Sequence, residues 1–138
     1  MVGTMPAEGE FTLQRQKNGR GYYGNVTVRV RSGAGSGEPP VVWSVPEDDR
    51  TSIQPRTDAE YVDAAIAGAG DGMELARDCG REVDGLLVEI VHAQVQLTDI
   101  EESAMRAAAA MAVTGALGLR DEVELGFDAG WVVHRRAG

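Results

Sequence analysis

The sequence predicts an α+β domain whose elements follow the order β-β-β-α-β-α-β. Three observations lead to this fold class. Alternating apolar and polar residues mark the strands, apolar residues at helical spacing mark two helices, and Gly- and Pro-bearing stretches separate the elements. A chain of 138 residues can bury one ordinary core, so we expect a single domain.

The first two strands are predicted to form a hairpin. Apolar and polar residues alternate over residues 11–16 and, most clearly, over 25–31, where three valines face one way and Thr and Arg residues face the other. The stretch between them, 17–21, contains an Asn-Gly step, which favours a tight turn. We therefore expect a hairpin with a basic outer face.

A third strand over 41–45 and a Pro-flanked connector precede the first helix. Thr57 and Glu60 form a capping box, which predicts that this helix begins at Thr57, and Cys79-Gly80 predicts its end. Each glycine inside a helix costs about 1 kcal/mol relative to alanine. Three of them occur here: Gly68, Gly70 and Gly72. They indicate either close packing on the sheet, which we favour, or a break in the helix.

The second half of the chain continues the pattern. Residues 85–97 form a long apolar run, predicted as a central strand, and the capping box at 98–101 starts an Ala-rich second helix that ends near Leu117. A last strand is predicted over 122–127, with residues 131–133 as its extension. The expected organisation is a flexible leader over residues 1–10, one domain over 11–134 and a tail over 135–138.

Charge and cysteine content limit the function classes. The net charge is −9, yet the chain through Arg56 carries seven Lys/Arg against six Asp/Glu, and the remainder six against sixteen. Contact with RNA must then be local, near the N-terminal arginines, because Lys and Arg make the phosphate contacts. Cys79 is the one cysteine, which fits a reducing compartment, and no membrane span, leader for export or zinc spacing is evident. We expect a cytoplasmic protein without a cofactor or bound metal.

Four short stretches follow one another in a specific order. They are Lys-Asn-Gly-Arg-Gly-Tyr-Tyr-Gly-Asn-Val at 17–26, Glu-Tyr-Val at 60–62 followed by Gly68, Val-Glu-Ile-Val-His at 88–92, and the Glu-Glu-Ser-Ala-Met and Ala-rich stretch at 101–112. In this order they resemble domain IV of elongation factor G and related ribosome-protection proteins, and the resemblance covers residues 11 to about 127. It implies a two-layer sandwich, a four-stranded sheet with both helices on one face, in the fold of a small-subunit ribosomal protein domain.

The resemblance also implies a working end. In that family the Gly-rich hairpin turn and the loop between the central strand and the second helix form the tip that enters the decoding centre of the ribosome. Thr98 stands where the family has a His, Tyr22 stands where it has a Gln, and the loop is about three residues shorter. The sequence has no Gly-x-x-x-x-Gly-Lys-Ser/Thr phosphate loop, so we expect no GTPase activity and no enzyme.

The predicted site for RNA or ribosome contact combines hairpin cations and aromatics with the tip loop. Cations hold phosphates and aromatic rings stack on unpaired bases. The residues are Arg15, Lys17, Arg20, Tyr22, Tyr23, Arg29, Arg31, Thr98 and Asp99. The alternative is a solvated hairpin whose Tyr rings pack at the edge of the sheet.

Other residues with chemical potential have simpler interpretations. Gly21 and Gly24 lack the helix N-terminus of a phosphate site, so they are predicted to be turn glycines. His92 and His134 have no Ser or Cys nucleophile and carboxylate near them in sequence. Capping accounts for the carboxylates at 99–102, and Cys79 lies at the negative end of a helix dipole, which disfavours a thiolate.

Two hypotheses remain beside ribosome binding. The chain could be a protein-binding or self-associating module, including a homodimer, that uses the uncovered sheet face with Trp43 or Trp131 as an anchor. It could also be one piece of a complete factor whose GTPase domain lies upstream. No membrane contact and no small-molecule cofactor are expected in either case.

Overall fold

The computed structural model describes residues 7–17, 19–32, 40–95 and 102–136, without the side chains of Lys17 and Arg20. The described chain contains six strands, two α-helices and a short 3₁₀ helix at Arg120–Glu122. The strands are β1 (Ala7–Lys17), β2 (Arg20–Ser32), β3 (Val41–Trp43), β4 (Leu86–Gln94), β5 (Val123–Phe127) and β6 (Trp131–Arg135), and the helices are α1 (Pro55–Asp78) and α2 (Glu102–Ala116).

The main sheet contains the first four strands in the order β1-β2-β4-β3. The β1–β2 and β2–β4 pairs are antiparallel, whereas β3 runs parallel to β4. The predicted central position of β4 is therefore confirmed. The valines at 26, 28 and 30 are fully buried, as their alternation predicted, and they form the core face of β2.

Both helices pack on this core face, which confirms the predicted two-layer α+β sandwich. Helix α2 lies across β1 and β2, and α1 packs along α2 and reaches β3 and β4. Small residues on the sheet let α2 come close. A Cβ at Gly24 would lie 3.1 Å from the carbonyl oxygen of Ala104, and one at Gly9 would overlap that of Ala112.

Helix α2 is buried almost all round. Every residue from Ala104 to Thr114 is buried except Arg106, since the sheet, α1 and the C-terminal strands each cover one side. A helix that is apolar on all sides is stable only in such a position. The α1 glycines were predicted to pack on the sheet, but two of them pack against α2 instead: a Cβ at Gly68 would overlap the Arg106 backbone, and one at Gly72 would lie 2.8 Å from Val113 Cβ.

The C-terminal strands differ from the prediction. Residues 131–133 do not extend the preceding strand. They belong to β6, which turns back at residues 128–130 and pairs with β5 in a separate two-stranded sheet. The reversal requires a positive φ of 58° at Ala129. The hairpin covers the side of α2 that the main sheet and α1 leave open, which is why it lies outside the four-stranded sheet.

The N-terminal leader is shorter than predicted. Residues 7–10 belong to β1 and pair with residues 27–30 of β2. Glu8 and Glu10 face outward, whereas Gly9 points toward α2. The alternation was hidden in the sequence because the inward residues are Ala and Gly rather than large apolar side chains.

Helix α1 begins two residues before the predicted start. Pro55 occupies its first turn, and Asp58 departs from helical geometry with φ −131° and ψ 39°. The Asp58 carboxylate accepts hydrogen bonds from the Gln54 backbone N–H, at 3.1 Å, and from the Thr57 hydroxyl, at 2.8 Å. Thr57 is therefore a donor to the neighbouring carboxylate and not the cap. The second predicted capping box, at 98–101, lies outside the described residues.

Candidate nucleic-acid interface

The β1–β2 hairpin extends beyond the rest of the main sheet. The β2–β4 pairing ends with Asn25 opposite Gln94, so residues 20–24 of β2 pair only with β1. Five residues at about 3.3 Å each project roughly 16 Å past this point. We call residues 14–23 the tip. Because β2 and β4 are antiparallel, the C-terminal end of β4, which leads into the loop before α2, lies at the same end of the sheet as the tip.

The tip carries positive charge in a chain that is acidic as a whole. Between Glu10 and Glu38 the sequence holds five Lys/Arg and no Asp or Glu. Arg15 is exposed, and its guanidinium donates to the Gln14 carbonyl oxygen at 3.0 Å without a carboxylate partner among the described residues. The backbones of Lys17 and Arg20 form the last residue pair before the turn. Three cations therefore belong to the tip.

Tyr22 does not belong to the exposed surface. Its ring is 8% exposed and packs against two aromatic rings of the C-terminal hairpin, with centroid distances of 5.8 Å to Phe127 and 5.5 Å to Trp131. The predicted alternative placed the Tyr rings at the edge of the sheet; the Tyr22 ring is packed, but against the C-terminal hairpin. Tyr23 lies on the opposite face of β2 and is half-buried. A stacking role is open to Tyr23 alone.

Arg29 and Arg31 lie on the uncovered face of the sheet, as predicted, but acidic residues accompany them. Arg31 Nε lies 3.1 Å from Glu89 Oε1, and Arg29 lies 3.5 Å from Glu8 Oε2 and 4.0 Å from Glu89 Oε1. The expectation of a basic outer face is therefore wrong. The reason is the pairing of strands, which brings Glu8 and Glu89 to either side of Arg29.

The two tryptophans that were predicted as partner anchors lie away from the uncovered face. Trp43 pairs with the fully buried Ile90 on the core face of the sheet, and Trp131 is 9% exposed beneath the C-terminal hairpin. Neither can anchor a partner on the uncovered face. The predicted contact residues Thr98 and Asp99 lie outside the described residues.

The connector before α1 brings a serine and an aspartate to His92, which sequence spacing did not reveal. Ser52 Oγ lies 2.7 Å from His92 Nδ1, and Asp49 Oδ2 lies 3.4 Å from the same nitrogen. In a catalytic triad the nucleophile and the carboxylate contact opposite ring nitrogens. Here both contact Nδ1, and Ser52 Oγ also accepts the Ala93 backbone N–H at 3.3 Å. The arrangement holds the connector against β4.

Asp49 is the centre of this connector. It accepts hydrogen bonds from the Thr51 hydroxyl at 2.6 Å and the Thr51 backbone N–H at 2.9 Å. These two bonds, followed by weaker ones from Ser52 and His92, lower the pKa of Asp49 to about 2. Among the described residues no group of His, Cys, Asp and Glu is arranged to hold a metal ion.

No protein-family model and no curated protein matches this chain. The fold does match that of a Thermus thermophilus protein of known crystal structure, with a TM-score of 0.67 and 20% sequence identity over 85% of this chain. At this identity the match establishes a shared fold only. The chain spans 16% of the length of the Thermus protein. Neither helix of the described part has the length and hydropathy needed to cross a membrane.

Proposed function

We propose that this chain is a non-catalytic domain, similar to domain IV of elongation factor G, that contacts the ribosome or another RNA–protein assembly with its tip. The observation that carries the proposal is the projecting hairpin with its three cations. A projecting element of this size can enter a groove that the body of the domain cannot. Cations on this element can contact phosphates there, while the rest of the domain, which is acidic, is repelled by the nucleic acid around it.

The cations divide into two groups with different expected roles. Arg15 has no acidic neighbour among the described residues, and no acidic residue stands near Lys17 or Arg20 in sequence. The charge of Arg15 is therefore available to phosphates, and the proposal includes Lys17 and Arg20 because they stand in a stretch of sequence without Asp or Glu. Arg29 and Arg31 share Glu8 and Glu89, so an RNA phosphate would have to compete with carboxylates already in place. We therefore assign RNA contact to Arg15, Lys17, Arg20 and Tyr23.

The test is co-sedimentation with ribosomes over a series of salt concentrations. We expect wild-type binding to weaken steeply with salt, and Arg15→Glu with Arg20→Glu to weaken it by about tenfold or more and to flatten its salt dependence. The matched control is Arg50→Glu with Arg56→Glu. Both control residues are exposed, and the net charge changes equally.

Equal loss of binding in both double variants would contradict the proposal, because it would mean that only total charge matters. Absence of ribosome binding at low salt would contradict it as well. Sedimentation velocity on the same samples tests the alternative of a self-associating module. A dimer that persists at all salt concentrations, without ribosome binding, would support that alternative.

A further inference from the structure

A groove runs along the helical side of the molecule, separate from the tip. Helix α2 forms its floor, α1 forms one wall and β6 forms the other, enclosing about 510 Å³. A second hollow of about 410 Å³ continues it between the N-terminal halves of the two helices, and Ser103 and Arg106 line both. The two hollows together follow α1 from Glu60 to Asp78, a length of roughly 27 Å at 1.5 Å per residue.

The α1 wall is acidic along its whole length. Its carboxylates recur at helical spacing and form one stripe: Glu60, Asp63, Asp71, Glu74 and Asp78. Two of them already form ion pairs. The Asp71 carboxylate accepts two hydrogen bonds from Arg106, at 2.6 and 3.0 Å, and Glu74 lies 2.7 Å from the Arg77 guanidinium. The other three have no cationic partner among the described residues. The wall therefore keeps a negative charge for a ligand to neutralise.

The β6 wall is apolar. Val132 is 41% exposed, and it is the one exposed large hydrophobic residue of the described chain. Next to it, Trp131, 9% exposed, and Val133 continue the apolar lining. Apolar side chains of a bound segment would cover Val132.

We propose that this groove binds a cationic protein segment, with Lys or Arg side chains along the α1 wall and apolar side chains against Val132 on the β6 wall. Charge complementarity selects this occupant, because an acidic wall repels RNA and other polyanions. A polycation without apolar groups would leave Val132 uncovered. No residue of the tip lines the groove, so this inference does not rest on the proposed function.

The test uses a fluorescently labelled ten-residue peptide in which Arg alternates with Leu, titrated with the full chain at low salt. We expect Asp63→Asn with Asp78→Asn to raise the dissociation constant about fivefold, since two exposed carboxylates without a cationic partner among the described residues lose their charge. The matched control, Asp121→Asn with Glu122→Gln, removes two exposed carboxylates that are not part of the groove lining and should change the constant by less than about twofold. Circular dichroism checks that both variants fold.

The apolar wall is tested separately. Replacing each Leu of the peptide by Ser, or Val132 by Ser in the protein, should each weaken binding severalfold. If the groove variant and its matched control weakened peptide binding equally, the proposal would be overturned. Equal binding of the Arg-Leu and Arg-Ser peptides would overturn it as well. The variant Arg15→Glu with Arg20→Glu should bind the peptide as wild type does, which distinguishes this site from the tip.

Discussion

Asp49 has a lowered pKa, and most of the hydrogen bonds to its carboxylate come from residues close to it in sequence. Two of its hydrogen-bond partners, Thr51 and Ser52, lie within three residues of it, and His92 on β4 supplies the remaining contact. Hydrogen bonds to a carboxylate favour its charged form. The charge of Asp49 therefore helps hold the connector in place and, through Ser52 and His92, attaches it to the sheet.

The first prediction concerns the acid stability of the fold. The pKa of Asp49 is about 2 in the folded chain and 3.8 in an unperturbed carboxyl group. A lowered pKa contributes stability that is fully present above the unfolded value and is lost as pH falls through 3.8 toward 2. We expect Asp49→Asn to be less stable than wild type at neutral pH. The difference should shrink as the pH is lowered from about 5 to about 2, measured by urea unfolding at each pH.

Asp48→Asn is the matched control. Asp48 is exposed and has no hydrogen bond or ion pair with another described residue, so its replacement should leave the pH profile of unfolding unchanged. A constant difference between wild type and Asp49→Asn over the whole acid range would show that the hydrogen bonds of Asp49 do not depend on its charge.

At the residue scale, the sequence predicted which face of the sheet a side chain occupies better than it predicted which residues that side chain contacts. The inward valines of β2 and the outward Arg29 and Arg31 follow from alternation alone. Glu89 could not be assigned as their partner, because the register between β2 and β4 is a tertiary property and includes a bulge at Thr27 and Val28. The partners of His92 could not be predicted for the same reason, since Ser52 and Asp49 lie 40 and 43 residues away from it in sequence.

At the scale of elements, α1 and α2 meet through backbone rather than through large side chains. Gly68 lies against the Arg106 carbonyl and Gly72 against Val113 and the Ala110 carbonyl, while Gly70, between them, has no atom within 4 Å of an added Cβ. The three glycines therefore have unequal roles. Two allow the helices to approach, and the third carries only the helix-weakening cost of glycine.

The second prediction follows from this contrast. Gly68→Ala should destabilise the fold by about 2–3 kcal/mol, because the methyl group overlaps a backbone carbonyl and the helices must separate. Gly70→Ala should stabilise it by up to about 1 kcal/mol through helix propensity. Urea titrations measure the change in the free energy of unfolding for each variant. The two changes have opposite expected signs, although the same methyl group is added in both. Stabilisation by both substitutions would contradict the close approach of the helices.

The C-terminal hairpin marks the limit of prediction for elements. Alternation identified both of its strands, 122–127 and 131–133, but assigned the second as an extension of the first past a Gly-bearing kink. Nothing local in the sequence specifies the reversal, which uses a positive φ at Ala129 rather than at Gly130. The reversal is favoured because the hairpin covers an apolar side of α2 and brings Phe127 and Trp131 against Tyr22. Both contacts exist only in the folded chain.

At the scale of the whole molecule, α2 connects all the other layers. It contacts β1 and β2 beneath it, α1 beside it and the C-terminal hairpin on its remaining side. Its own sequence, with seven Ala among 15 residues, supplies little hydrophobic area per residue, so its stability depends on being enclosed on all sides. Loss of any one layer exposes part of it, and the domain should therefore unfold as one cooperative unit around α2.

Native-state hydrogen exchange tests this last prediction. Amide hydrogens of α2 from Ala107 to Thr114 should exchange only through global unfolding, with a free energy equal to that from urea unfolding. Those of β3 should exchange through smaller openings, because this three-residue strand lies at the edge of the main sheet and pairs with β4 alone among the described strands. Gly68→Ala should then lower the protection of α2 by the full loss in global stability. If α2 exchanged faster than the valines of β2, the sheet alone would be the stable unit, with α2 docked on it as a separable layer.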